Sequence, residues 1–112
     1  MCLFCKIAAK QIPSKILFED DDLLAFHDIS PVAPTHVLVI PKQHLTSLDD
    51  AGPEHAALFG KLMLATQRVA QLTGLTPGGW RVVVNTGPNA GQSVFHLHLH
   101  VLGGRPMAWP PG

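Results

Sequence analysis

Charge is scarce in this 112-residue chain: Asp, Glu, Lys and Arg make up 14% of it, and eight basic residues balance eight acidic ones. A protein that tracks a nucleic-acid backbone carries a basic stripe, and none is visible, which argues against a nucleic-acid partner. A phosphate-bearing ligand would have to be small and met by a few placed donors. Long apolar runs are missing too. None approaches the roughly 20 residues that span a bilayer, so no membrane partner is expected. Met1–Lys6 lacks the basic start and long apolar core of a signal peptide, which makes a cytoplasmic location the default. Cysteine is limited to two residues. In a reducing compartment these read as thiols or metal ligands before they read as a disulfide.

Apolar residues make up 46% of the chain, ample for one packed domain over residues 1–112. The low charge suggests that some surface is buried between subunits. Residues 3–10 read as a short helix closed off by Pro13. Ile16–Glu19 and Leu23–His27 flank the polar stretch Glu19–Asp22 and read as a hairpin. Ser30–Pro34 is a proline-punctuated loop, and the β-branched stretch His36–Ile40 is a buried strand. Pro53–Leu72 is the one clear helix: Leu58, Leu62, Ala65, Val69 and Leu72 recur at three- and four-residue steps, and Gly74 stops it. Trp80–Asn85 and Phe95–Leu102 read as strands around the loop Thr86–Gly91, and the tail from Pro106 is irregular. Short antiparallel strands with one long helix indicate an α+β domain.

The chemistry concentrates in His96-Leu97-His98-Leu99-His100. Side chains of a strand alternate between faces, so the three imidazoles share one face while Leu97, Leu99 and Val101 point into the core. Surface or structural histidines are the bland reading. A zinc site is the rival, but strand rise of about 3.3 Å per residue puts His96 and His100 roughly 13 Å apart. Zinc holds nitrogen at about 2.0–2.1 Å, so one ion cannot easily recruit all three. A neutral imidazole can instead attack phosphorus, splitting one displacement into two easier ones, with its neighbours donating to oxygens or leaving group. Just upstream, Asn85–Ser93 offers glycines that let backbone N–H groups approach an anion, with Asn85 and Ser93 as side-chain donors.

The segment His96–Leu102 resembles the histidine-triad (HIT) motif, in which three histidines alternate with apolar residues. Lys15–Asp21, Ala25–Pro31, Ala33–His36, Gly91–Phe95 and Trp109–Gly112 resemble the histidine-triad nucleotide-binding (Hint) branch. The resemblance implies a five-stranded antiparallel sheet with one long and one short helix, joined to a second sheet across a homodimer. It implies a purine nucleoside phosphoramidase, releasing AMP and an amine from adenosine 5′-phosphoramidates, with no cofactor required for the chemistry. By position, His98 would be the nucleophile, His100 would bond phosphate and leaving group, and His36 would support them. Asn85, Gly91, Gln92 and Ser93 would line the phosphate site, and Asp28 would take the ribose hydroxyls. Phe4, Ile7, Ile12, Phe26 and Ile29 would form the slot for the base, and Trp109 would reach the partner subunit's site. Simpler roles stand beside these: plain core for the apolar residues, a turn acceptor for Asp28, ordinary packing for Trp109. His27 and His55 read as structural or exposed.

Cys2-Leu3-Phe4-Cys5 is a CxxC pair. The resemblance to bacterial members of the family implies a structural zinc ion held by Cys2, Cys5, His44 and His96, which would give His96 a role apart from that of His98. Ordinary thiols are the alternative. A nucleotide-binding or partner-regulating module with incidental hydrolysis, and a metal-dependent hydrolase, are the competing functions.

Overall fold

Asp20 makes the first turn of the sheet. Its Oδ1 accepts from the backbone N–H groups of Asp22 and Leu23 at 2.8 and 3.0 Å, the local bonding that makes Asp a turn former. The turn joins β1 (Ile16–Glu19) to β2 (Leu23–His27) as the expected hairpin. The computed structural model describes all 112 residues and adds α1 (Leu3–Ala8), β3 (Thr35–Pro41), α2 (Ala56–Leu72), β4 (Trp80–Val83) and β5 (Leu99–Gly103). The strands form one antiparallel sheet in the order β1-β2-β3-β5-β4. This is the α+β arrangement expected: five strands, one long helix and one short one.

The two faces of the sheet carry different cargo. Leu23, Ala25, Val37, Val39, Leu99 and Val101 meet Leu62, Ala65, Val69 and Ala70 of α2 in the larger core. Their alternates Leu24, Phe26, Leu38 and Ile40 meet Phe4 and Ile7 of α1 in a smaller one. Leu38 stands opposite both Phe26 and His100, so the histidine side chains lie on the α1 face. That second face holds the site.

Several expected boundaries move. The first helix ends at Ala8, because Lys10 adopts φ +63° and the N–H groups of Lys10 and Gln11 bond back to the carbonyls of Ile7 and Lys6. That pairing is a left-handed helix stop. Pro53–His55 forms a separate tight turn before α2. Leu72 is 55% exposed, and Thr66 and Ala70 take places on the buried stripe.

The largest change concerns the last strand, which starts at Leu99 and not at Phe95. The Leu97 N–H donates to Leu45 O at 2.6 Å, which draws residues 96–98 off the ladder. With its neighbour gone, β4 stops at Val83 instead of Asn85. Leu97 remains in the core as expected.

Candidate active site

His98 is buried, and its Nδ1 lies 2.7 Å from the backbone carbonyl of His96. A carbonyl oxygen can only accept, so Nδ1 carries a proton, and in the neutral ring Nε2 keeps the lone pair. Phe4 sets its ring edge-on against this imidazole, with centroids 5.1 Å apart and planes at 86°. His98 is therefore held in one tautomer and one plane.

His100 is held in the opposite tautomer. The Val32 N–H donates to His36 Nδ1 at 3.2 Å, so in neutral His36 the proton sits on Nε2. That Nε2–H points at His100 Nδ1, 2.9 Å away. His100 then carries its own proton on Nε2, which is buried without a partner. A buried orphan donor is costly and calls for a ligand. Burial, reinforced by the neighbouring His98 and His36, pushes His100 down to about 4, against a smaller opposing pull from Asp28. Burial also lowers His36, again opposed by Asp28. Both rings are neutral at neutral pH.

Asp28 makes the anticipated turn contact and also approaches His36. Oδ1 accepts from the Ser30 N–H at 2.7 Å, the turn contact, while Oδ2 lies 3.5 Å from His36 Nε2. The apolar residues divide. Phe4, Ile7 and Phe26 form the smaller core, with Ile12 partly buried against it. Ile29 is 98% exposed and stands outside that cluster, because the Asp28–Ser30 turn aims it at solvent.

The loop before the histidines is braced internally. Gly87, at φ +80° and ψ −180°, adopts a geometry open only to glycine. Its N–H donates to Gln92 Oε1 at 3.0 Å, and Gln92 Nε2 donates to the carbonyls of Thr46 and Val94 at 2.7 and 3.1 Å. The Gln92 side chain is thus occupied within the protein. Ser93 and Gly91 are exposed, Asn85 half-buried. The sequence reading passed over Thr86, whose buried hydroxyl has no partner, and Val32, whose N–H sets the His36 tautomer. Loop composition hints at the first; nothing in the sequence marks the second. His55 is structural: it accepts the Gly52 N–H and contacts Gln43. Trp109 is 81% exposed.

A second cluster sits beside the first. Cys2 Sγ lies 3.6 and 3.3 Å from Nδ1 of His44 and His96, Cys5 Sγ lies 3.3 and 3.5 Å from the same atoms, and the two nitrogens are 3.1 Å apart. A zinc tetrahedron with bonds of about 2.3 Å to sulfur and about 2.0–2.1 Å to nitrogen has S···N edges of about 3.5 Å and an N···N edge of about 3.3 Å. The donor atoms fit that polyhedron. His96 Nε2 lies 2.8 Å from Pro41 O and donates to it, leaving Nδ1 unprotonated toward the cluster. A metal-binding histidine is oriented in this way. Burial lowers His96 against an opposing pull from the Pro41 bond, while burial and the Cys2 thiol raise Cys5.

Residues 9–107 match the family model of the HIT domain. An uncharacterised HIT-like protein of Synechococcus elongatus is 54% identical over 110 residues, covering 98% of this chain and 96% of that protein. The 14 kDa zinc-binding protein of Zea mays is 50% identical over 112 residues, covering 98% and 87%. The crystal structure of a HIT family hydrolase from Legionella pneumophila superposes with a TM-score of 0.98 at 47% identity, covering 100% of both chains. With its histidines on the α1 face of a five-stranded sheet, this chain belongs to the HIT domain family.

Proposed function

We propose that this protein is a purine nucleoside phosphoramidase of the Hint type, hydrolysing adenosine 5′-phosphoramidates through a nucleotidyl-His98 intermediate. The observation that carries this reading is the pair of opposite tautomers: His98 presents a lone pair on Nε2, and His100 presents an unpartnered Nε2–H. One group attacks and the other donates, with ring centroids 4.9 Å apart.

In the first step the His98 Nε2 lone pair forms a bond to phosphorus and the P–N bond breaks, its electron pair leaving on the amine, which takes a proton from water. His98 becomes a cationic N-phosphoryl imidazole whose Nδ1–H still donates to the His96 carbonyl. His100 Nε2–H bonds a phosphoryl oxygen or the leaving nitrogen, and His36 keeps that proton on the outer nitrogen. In the second step water attacks phosphorus, the electron pair returns to Nε2, AMP departs, and the water's proton goes to solvent. Asn85, Gly91 and Ser93 serve the phosphate and Asp28 the ribose. Phe4, Ile7, Ile12 and Phe26 back the base.

The Cys2–Cys5–His44–His96 set holds a structural zinc ion on this reading, supported by the tetrahedral spacing and by the zinc-binding name of the maize relative. Zinc supplies cross-linking there, not chemistry. A homodimer accords with β4 at the sheet edge, its outer side unpaired, and with the exposed Trp109. No helix is long and apolar enough to cross a membrane, and a cytoplasmic setting suits the free thiols of Cys2 and Cys5. Replacing His98 with glycine tests the reading: turnover of an adenosine phosphoramidate should vanish while AMP binding persists. Wild-type turnover in that variant would remove His98 from the nucleophile's role.

A further inference from the structure

His96 touches both clusters with different atoms. Its Nδ1 faces Cys2, Cys5 and His44, and its Nε2–H is fixed on Pro41 O. Its own backbone carbonyl accepts the His98 Nδ1–H at 2.7 Å. One fully buried residue thus carries a ligand atom for the metal set and the acceptor that selects the His98 tautomer.

The ladder does not hold this residue in place. Pairing of β5 with β3 and β4 begins only at Leu99 and His100. Residues 96–98 are tied instead to the end of β3 and to residues 44–45, through the His96 Nε2–H bond to Pro41 O, the Leu97 N–H bond to Leu45 O and the His44–His96 approach at 3.1 Å. The third segment is α1, which contains Cys5, is capped by Cys2 and carries Phe4 onto the His98 ring. Three segments outside the sheet meet at the four sulfur and nitrogen atoms, and two of them supply the groups that orient His98.

We infer that the Cys2–Cys5–His44–His96 centre is a positioning device for the His98 nucleophile, acting through the His96 main chain and through Phe4. The inference rests on the readings that this centre binds zinc and that His98 attacks phosphorus. Metal bound at His96 Nδ1 fixes the residue whose carbonyl orders the His98 tautomer; metal bound at the cysteines fixes the helix that sets its plane. Loss of the metal removes the tie between residue 96 and α1 and leaves each with only its Pro41, Leu45 and core contacts. The imidazole then samples the form protonated on Nε2, which has no lone pair there to attack. His96 and Phe4 are positioning residues in this account, and His98 alone meets the phosphorus.

The test uses the full chain with 15N-labelled histidine, as purified with zinc, after chelation, and after zinc is returned. Long-range proton–nitrogen spectra at one fixed neutral pH report the His98 tautomer, and single-turnover labelling reports the attack. The loaded protein should show His98 protonated on Nδ1 alone. The stripped protein should show the Nε2–H form as well and label about 10-fold more slowly or worse under saturating phosphoramidate, the range found when support to a site residue is lost. Returning zinc should restore both. A stripped, folded protein that keeps the Nδ1–H tautomer and the full labelling rate would overturn the inference. Should chelation unfold the chain, His44→Asn removes an exposed ligand and leaves α1 and the core untouched. The same tautomer shift is expected there, and its absence in the zinc-depleted variant would be equally decisive. Protein that neither contains nor takes up zinc overturns the metal reading, and zinc-loaded protein that never labels overturns the nucleophile reading. Metal analysis and the adduct separate those failures from failure of the coupling itself.

Discussion

Replacing His100 with glutamine should flatten the acid dependence of folding stability. The folded value of about 4 lies well below the ordinary 6.5, chiefly through burial. A base depressed in the folded state is protonated first in the unfolded chain, so unfolding takes up a proton between these values. The sign follows: full stability holds above about pH 6.5 and drains away as pH falls toward 4. The gap is about two and a half pH units at about 1.4 kcal/mol each, or about 3.4 kcal/mol when complete. By pH 5 about 2 kcal/mol should be gone. Urea unfolding of both proteins at pH 7 and pH 5 measures it. The wild type should lose about 2 kcal/mol more than His100→Gln across that interval, any acid loss from the Cys2–Cys5–His44–His96 set being common to both. Parallel losses would show that His100 does not titrate as a buried neutral ring, and the donor assignment would fall with it.

Two glycines should respond in opposite directions. A Cβ on Gly103 would stand 2.6 Å from a Leu75 methyl in the core, so Gly103→Ala should cost about 1–3 kcal/mol by overpacking. A Cβ on Gly60, in the second turn of α2, meets nothing within 4 Å, and Gly60→Ala should add up to about 1 kcal/mol of helix stability. Thermal unfolding checks the pair. Gln92→Ala strips partners from the Gly87 N–H and the carbonyls of Thr46 and Val94. It should cost about 1–3 kcal/mol and raise KM more than it lowers kcat, because the loop loosens while His98 stays oriented; steady-state kinetics would show the reverse if Gln92 served the chemistry.

Alternation and turn chemistry made most of the sheet readable in advance. β1 and β2 fall where the apolar runs around Asp20–Asp22 put them, and Val37, Val39, Leu99 and Val101 face α2 as period two requires. Pattern could not show that the strand containing the histidines begins late. Phe95–Leu102 alternates throughout, yet Leu97 bonds to Leu45, a partner more than fifty residues away. That tertiary contact has no local signature. Spacing along an ideal strand correctly separated His96 from His100, but for a stronger reason than distance: His96 turns to the cysteines while His100 turns to His36. Apolar character alone does not distinguish Ile29, which the Asp28 turn sets outward, from Phe4, Ile7 and Phe26, which are buried together. Tautomers were beyond reach, since they depend on Val32 N, His96 O and Pro41 O, backbone atoms that carry no residue-type signal.

The central claim is that His98 Nε2 becomes bonded to phosphorus. Rapid quenching of the protein with an adenosine phosphoramidate, followed by intact-mass and peptide analysis, measures that bond directly. The account predicts one adenylyl group per chain, formed within a single turnover, located on His98 and absent from His98→Gly. Hydrolysis at full rate with no adduct at any time, or an adduct on His96 or His100, would contradict it.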